Sequence, residues 1–192
     1  MALDETLFAL AVRTTNKDRN YWATRDGLSS STVEKIRSAD YVFVPFKQED
    51  GFHNAFPDGT ADFIRIIRKF AGESAVAIAT EENNYTEIAE HAHKIRLPSI
   101  LVSAFVFPIL ANFISSEIEK RWSQVLERPL VEISLIVQNE HGNCISLKYE
   151  GPTDRLIETL TREVDRCFGA KSEPPKNAHH HRNKQAGKRV SK

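Results

Sequence analysis

The sequence predicts an α/β fold, with an open, mostly parallel sheet flanked by helices and a C-terminal β-hairpin plus helix. Three observations predict it. Apolar runs typical of buried strands alternate with amphipathic helical patterns over the first part of the chain. Each of the first three runs is followed by a polar loop. Near the C terminus, two alternating runs over 131–138 and 145–149 flank a short loop containing Gly142, which is typical of a hairpin.

The first three predicted strands cover Leu7 to Val12, Tyr41 to Phe46 and Ala75 to Ala79. Helical patterns separate them, so we expect the strands to lie parallel in one sheet. The carboxyl ends of parallel strands meet at one edge, and open α/β folds bind small ligands there. We therefore expect the three polar loops that follow these strands to form one ligand-binding rim.

The predicted helices carry recognisable start and stop residues. Ser29 to Thr32 supplies a capped start to a short helix. Thr60 opens a second helix with a clear apolar stripe, and Gly72 is placed to end it. A weaker pattern predicts a third helix over 85–95.

The segment 97–114 contains no charged residue and has about the minimum length of a membrane-spanning helix. It divides better into a buried strand near Ile100 and a helix with Pro108 in its first turn. Charged residues from Glu117 onward continue one side of that helix. This continuation favours a soluble strand–helix unit over a membrane helix.

We predict one α/β domain over 1–170, with a βα-alternating body over 1–126 and a strand–strand–helix extension over 127–170. The extension could lengthen the main sheet or form a small appended layer. From 171 to 192 the chain is basic and has almost no apolar residues, so we expect a disordered tail. Three consecutive histidines in this tail do not by themselves predict a specific metal site.

Composition excludes some functions and leaves others open. The chain has 26 basic and 26 acidic residues, which argues against a whole-surface role in binding nucleic acid or anionic membrane. Only the basic tail is expected to touch nucleic acid, if any segment does.

Two scattered cysteines and the absence of a signal-peptide pattern predict a cytoplasmic protein. The common dinucleotide, P-loop, hydrolase and zinc motifs are absent, so no cofactor is identified.

The second polar loop holds the densest cluster of candidate site residues. Glu49 and His53 are candidate ligand-binding residues just before a predicted helix. Asp58 is a candidate catalytic carboxylate, although it could equally be a helix cap. Free amides around Thr60 at the helix start could hold a phosphate.

The other two loops supply a carboxylate and a cationic–aromatic cluster. Glu81 directly follows the third strand, where it could contact a ribose or orient a nucleophile, or could simply be a solvated or capping residue. In the first loop, Lys17 and Arg19 could hold phosphate and Trp22 could stack on a base. Trp22 could also simply cover the edge of the sheet.

Three short segments, 38–44, 58–63 and 74–78, carry a family resemblance. Together they resemble the nucleoside 2-deoxyribosyltransferases and their TIR-like relatives over about forty residues. The resemblance implies a flavodoxin-like, or Rossmann-like, sheet and cleavage of N-glycosidic bonds by a glutamate in the helix that follows the Asp58-Gly59-Thr60 turn. That helix has no glutamate here, and Asp62 stands in its first turn. The resemblance therefore favours nucleotide-type ligands without assigning a nucleophile.

Two functions follow from these patterns. The first is a nucleotide- or nucleoside-directed ligand-binding protein, or an N-glycosidic-bond enzyme, with its site at the strand tips. The alternative is a non-catalytic interaction or regulatory subunit of a larger assembly, or a homo-oligomer, that uses the hairpin and the basic tail.

Overall fold

The structure, a computed structural model, describes residues 8–46, 54–89, 94–122 and 130–169. Helices cover parts of both faces of a mixed β-sheet, which confirms the predicted α/β class. The strands are β1 (Ala9–Thr15), β2 (Tyr41–Val44), β3 (Ala55–Pro57), β4 (Val76–Ile78), β5 (Thr86–Ile88), β6 (Ile95–Arg96), β7 (Ser99–Ser103), β8 (Leu130–Gln138) and β9 (Cys144–Pro152). The helices are α1 (Arg19–Ala23), α2 (Ser30–Ser38), α3 (Thr60–Ala71), α4 (Phe107–Trp122) and α5 (Leu156–Phe168).

The main sheet has seven strands in the order β1-β9-β8-β7-β2-β4, and β6 pairs with β8. β2 and β4 are parallel, as predicted. β1 is not their neighbour, because it pairs antiparallel with β9 at the far edge and runs opposite to β2 and β4. The expectation that the first three strands lie parallel was therefore wrong for β1.

The side chains of β1 explain its edge position. Leu10 and Val12 are half-buried while Ala9, Ala11 and Arg13 are exposed, an alternation typical of an antiparallel strand with one covered face. In contrast, all four residues of β2 are buried, as a central strand requires.

One face of the sheet packs on α3, α4 and α5. Its core contains the fully buried side chains of Phe43, Phe107, Ile133 and Leu135. α3 ends at Gly72, which has a positive φ of 96°, as the sequence predicted.

The apolar segment 97–114 folds as the predicted strand and helix. Ile100, Leu101 and Val102 of β7 are fully buried between β2 and β8. Pro108 stands in the first turn of α4, where its missing N–H leaves no hydrogen bond unmade. Within the described part of the chain, no helix is long and apolar enough to cross a membrane.

The predicted hairpin is confirmed as β8 and β9, which pair antiparallel from Leu130–Pro152 to Gln138–Cys144. It lengthens the main sheet and does not form a separate layer. Thr153 and Asp154 form a short 3-10 turn ahead of α5 and make no side-chain cap.

The prediction of a helix over 85–95 is wrong. Thr86 and Ile88 instead belong to β5, which pairs in parallel with β3 to form a separate two-stranded sheet. Both residues are β-branched and favour a strand. The Tyr85 ring stacks on Phe56 at 4.8 Å between centroids, and this contact holds the small sheet together.

The second face of the main sheet is divided into two halves. Over β4, β2 and β7, the helices α1 and α2 pack on buried apolar residues including Val42, Ala77 and Leu101; we call this the covered half. Past Ile136, over β8, β9 and β1, the same face carries mainly polar side chains around a trough; we call this the open half.

Candidate functional site

The open half of the sheet forms the floor of a trough with a volume of about 570 Å³. This volume lies within the roughly 300–1,000 Å³ of small-molecule sites. The described residues that line it are Arg13, Thr14, Thr15, Lys17, Trp22, Val44, Pro45, Phe46, Pro57, Arg96, Leu97, Ser99, Glu132, Ser134, Ile136, Ser146 and Lys148.

Strand register brings the polar residues of the floor together. Arg13 of β1 lies opposite Ser146 of β9, and Lys148 of β9 lies opposite Ser134 of β8. Alternate residues of a strand share a face, so Ser146 and Lys148 point to the same side. Three neighbouring strands therefore present these four side chains to one trough.

The described lining of the trough is positively charged. It contains four cationic side chains and one carboxylate, a formal charge of +3. The four cations are Arg13, Lys17, Arg96 and Lys148. A trough with this lining favours an anionic ligand.

The single carboxylate, Glu132, is already neutralised by its neighbours. Its Oε2 lies 2.7 Å from Lys94 Nζ and 2.9 Å from Arg96 Nη2, and its Oε1 lies 3.0 Å from Lys148 Nζ. Burial acts to raise the pKa of Glu132, but the hydrogen bonds from Lys94, Lys148 and Arg96 outweigh it and hold the pKa at about 2. Glu132 is therefore ionised at neutral pH.

Several donors in the trough have no acceptor among the residues that the structure describes. Within the described residues, Arg13 and the hydroxyls of Ser134 and Ser146 have no hydrogen-bond or ion-pair partner. The indole N–H of Trp22 is buried and also lacks an acceptor in this part of the chain. Arg13 is exposed and the two serines are half-buried, so their donor groups are accessible to acceptor atoms of a ligand.

Two of the predicted ligand-binding residues, Lys17 and Trp22, line the trough. Lys17 Nζ lies 6.0 Å from the centroid of the Trp22 ring, and the Arg25 guanidinium lies 5.3 Å from it. The ring is only 5% exposed and packs in the core of the covered half. Trp22 therefore packs on the sheet, and its predicted stacking on a base stays a prediction.

Arg19, in contrast, is used inside the protein. Its Nη1 donates hydrogen bonds to the carbonyl oxygens of Ile36, at 2.9 Å, and of Ala39 at the end of α2. Burial lowers the pKa of Arg19, and Asp40 acts in the opposite direction. Arg19 ties the first loop to α2 and lies outside the trough.

The predicted phosphate cradle at the start of α3 is occupied by Glu87. Its carboxylate accepts hydrogen bonds from the amides of Gly59, at 2.9 Å, and Ala61, at 2.6 Å. Thr60 is fully buried, and its Oγ1 donates to Pro57 O at 2.6 Å. The expectation of free amides around Thr60 was therefore wrong.

Asp58 and Glu81 do not meet in one cavity with the trough residues. Asp58 is exposed and is not the helix cap, a position that Gly59 takes. Glu81 Oε1 accepts a 2.6 Å hydrogen bond from the amide of Ser29, and this bond lowers the pKa of Glu81. Neither carboxylate lines the trough, and their predicted catalytic roles stay predictions.

The loop after β1 and the loops after β2 and β4 leave opposite ends of the sheet, so the three loops do not form one rim of strand ends. Lys17 after β1 and Phe46 after β2 nevertheless both line the trough, whereas Glu81 after β4 does not. Glu49 and His53 lie outside the described residues. Within the described ranges, no group of three His, Cys, Asp or Glu side chains could hold a metal ion.

Sequence reasoning missed Arg13, Ser134, Ser146 and Lys148 as site residues. A signal for three of them was present in the alternation of β8 and β9, whose polar positions include Ser134, Ser146 and Lys148. Such alternation usually marks a face turned to water. Only the antiparallel pairing of β1 with β9 adds Arg13 and makes that face a candidate site.

Comparison with known proteins adds no assignment to this geometry. The chain matches no protein-family model, no curated protein and no solved structure. The arguments for its function therefore rest on the trough itself.

Proposed function

We propose that this protein binds a small anionic molecule, of the nucleotide or nucleoside phosphate class, in the trough on the open half of the sheet. The observation that carries the proposal is a cavity of small-molecule size with a positively charged lining and, within the described part of the chain, accessible donors without acceptors.

The trough has a polar side and an apolar side, as a ligand with a ring and a charged group requires. Val44 and Ile136 are buried where the trough meets the covered half, and Leu97 is buried beside Arg96. In strand order, Val44 of β2 lies at one side of the trough, and Ser146 and Lys148 of β9 and Arg13 of β1 lie at the other. Ile136 of β8 lies between them, directly opposite Ser146. A ring on the apolar side and an anionic group on the polar side would satisfy both.

The state of Glu132 supports binding over cleavage of an N-glycosidic bond. It is the one carboxylate in the described lining, and three cations within 3.0 Å stabilise its charge. A carboxylate stabilised in this way is a weak base and a weak nucleophile. We therefore propose a ligand-binding or sensing role.

The alternative, a subunit that adds its hairpin to a partner's sheet, loses its main support. β8 and β9 are interior strands, because β9 pairs with both β1 and β8, and β8 pairs with β7. Edge addition needs an unpaired strand edge, which this hairpin lacks. The basic tail invoked by the same hypothesis lies outside the described residues.

A thermal-shift panel of nucleotides, nucleosides and other metabolite anions tests the proposal. A ligand at about 100 times its Kd should stabilise the protein by about 2.7 kcal/mol, or about 5–10 °C in Tm for a chain of this size. Arg13→Ala should abolish the shift. Arg65→Ala is the matched control, because Arg65 is exposed on α3, lies outside the trough lining and pairs with Asp62.

Isothermal titration then confirms any hit and gives its stoichiometry. One ligand per chain, lost in Arg13→Ala and retained in Arg65→Ala, supports the trough as the site. The absence of any shift across the panel, or an equal shift in both variants, would overturn the proposal.

A further inference from the structure

The polar side of the trough presents four donor groups from three adjacent strands. They belong to Arg13, Ser134, Ser146 and Lys148, which we call the donor cluster. We infer that the donor cluster binds the phosphoryl group of a phosphomonoester, whose ring lies toward Val44 and Ile136. This inference rests on the proposed function and specifies the ligand's anionic group and its orientation.

The spacing of the donor cluster fits a group with several acceptor oxygens. Side chains directly opposite one another on antiparallel strands have Cβ atoms about 4.5–5.5 Å apart. Arg13–Ser146 and Ser134–Lys148 are such pairs, and Ser146 and Lys148 are neighbours on one face of β9. The four groups therefore surround a small area of the floor, which the three terminal oxygens of a phosphoryl group can fill.

The charge of the donor cluster matches a phosphoryl dianion. Arg13 has no ion-pair partner among the described residues and is free to form a two-point contact with phosphate. Lys148 pairs with Glu132, but Lys94 and Arg96 also pair with Glu132. Lys148 can therefore turn to the ligand while Glu132 stays neutralised, which gives two cations for two negative charges.

A carboxylate ligand uses the same cluster less completely. Its two oxygens lie in one plane and carry one negative charge, so Arg13 alone can satisfy them with two parallel hydrogen bonds. Ser134 and Ser146 would then remain without acceptors, as they are within the described structure. The donor cluster is thus better matched to phosphate than to carboxylate.

The orientation of the ligand follows from the two sides of the trough. The phosphoryl group lies over β9, and the apolar surface of Val44 and Ile136 lies toward β2, in the apolar cluster that includes Trp22 of α1. Trp22 also borders that side.

The test is a titration of the full chain, at constant ionic strength, with four probes: adenosine 5′-monophosphate, adenosine, inorganic phosphate and citrate. We expect adenosine 5′-monophosphate to bind at least roughly tenfold more tightly than adenosine or inorganic phosphate, because only it occupies both sides of the trough. Citrate should bind more weakly than the monophosphate. Amide chemical shifts of β1, β8 and β9 report whether binding occurs in the trough.

Variants then assign the contact. Ser146→Ala and Arg13→Lys should each reduce the affinity for the monophosphate by roughly tenfold while leaving that for adenosine nearly unchanged. Ser31→Ala on α2, outside the trough, is the matched control for Ser146→Ala. Circular dichroism and Tm confirm that each variant is folded.

The outcomes separate this inference from the proposed function. If citrate or another carboxylate binds in the trough and the monophosphate does not, the donor cluster is not a phosphoryl site although the trough is still an anion site. Equal affinity for adenosine and its monophosphate would also overturn the inference. If none of the probes perturbs the trough and the wider panel gives no hit, both proposals are wrong.

Discussion

The covered and open halves of the second sheet face are continuous, yet their side chains differ. On the covered half, Val42, Val44 and Leu101 are at most 2% exposed beneath α1 and α2. On the open half, Ser134 and Ser146 lie on the same face of the sheet, and no helix of the described chain lies over them. The boundary runs through Ile136, which contacts the apolar cluster and also lines the trough.

The difference shows how one sheet can serve both stability and binding. Apolar residues on the covered half contribute to the core, and their energy comes from removal from water. On the open half, Arg13, Ser134 and Ser146 have no internal partner among the described residues, so they contribute little to folding and are available to a ligand. Glu132 is the exception, because its ion pairs with three cations stabilise the fold. Substitutions of apolar residues on the covered half should therefore lower stability. Substitutions of unpartnered polar residues on the open half should mainly weaken binding.

The largest effect on stability should come from Leu101→Ala on the covered half. Leu101 is fully buried, so its truncation removes apolar contacts and leaves a cavity. We expect a loss of about 2–5 kcal/mol in the free energy of unfolding, measured by urea denaturation. A loss below about 1 kcal/mol would show that the covered half is loosely packed and would weaken the comparison.

Glu132→Gln should have the next largest effect, and the effect should depend on pH. The pKa of Glu132 is about 2 in the folded protein against an ordinary value of 4.5, so its ionisation stabilises the native state by up to about 3 kcal/mol above pH 4.5. This contribution is lost as the pH falls from about 4.5 to about 2. Glu132→Gln should therefore be less stable than the wild type at pH 7.

Urea denaturation of both proteins between pH 7 and pH 3 checks this prediction. The difference between their free energies of unfolding should shrink as the pH falls below 4.5, because the stabilisation from the ionised Glu132 of the wild type is then progressively lost. A difference that stays constant over this range would mean that packing, and not charge, accounts for the effect of the substitution.

A smaller effect is expected for Glu87→Gln at the start of α3. The carboxylate of Glu87 accepts hydrogen bonds from the Gly59 and Ala61 amides, and a negative charge is favourable at a helix N terminus. We expect a loss of about 1 kcal/mol in the free energy of unfolding. Asp58→Asn is the matched control, since Asp58 is exposed and makes no side-chain cap, and should change stability by less than about 0.5 kcal/mol.

The smallest effect on stability should come from Ser134→Ala on the open half. The Ser134 hydroxyl has no hydrogen-bond partner in the described chain, so its removal should change the free energy of unfolding by less than about 0.5 kcal/mol. The same variant should weaken binding of any ligand found in the trough, measured by titration. A destabilisation comparable to that of Leu101→Ala would erase the distinction between the two halves.

Local patterns in the sequence predicted the elements that depend on local interactions. Ser29 caps α2 by accepting from Thr32 N, and Gly72 ends α3, because caps and stops are determined by residues close in sequence. The pairing of β1 could not be predicted in this way. Its partner, β9, lies at the other end of the described chain, and a single-strand pattern does not specify a distant partner.

The candidate site was only partly predictable for a similar reason. Lys17 and Trp22 were identified as candidates, and both line the trough. Arg19 and Glu81 have the chemistry of ligand-binding residues, but internal partners at Ile36 and Ser29 use their hydrogen-bonding capacity. The sequence shows which groups a side chain can bind, whereas only the fold shows whether a group within the protein already binds it.

The pairing of β1 with β9 has a consequence for biosynthesis. Ala9 lies opposite Glu150, so the trough floor cannot close until nearly all of the described chain has left the ribosome. Helices and the β8–β9 hairpin can form earlier from nearby residues, while this contact between distant segments forms late. A chain that ends before β9 therefore lacks the trough floor and, under the proposed function, would not bind the ligand, even when much of its secondary structure is already in place.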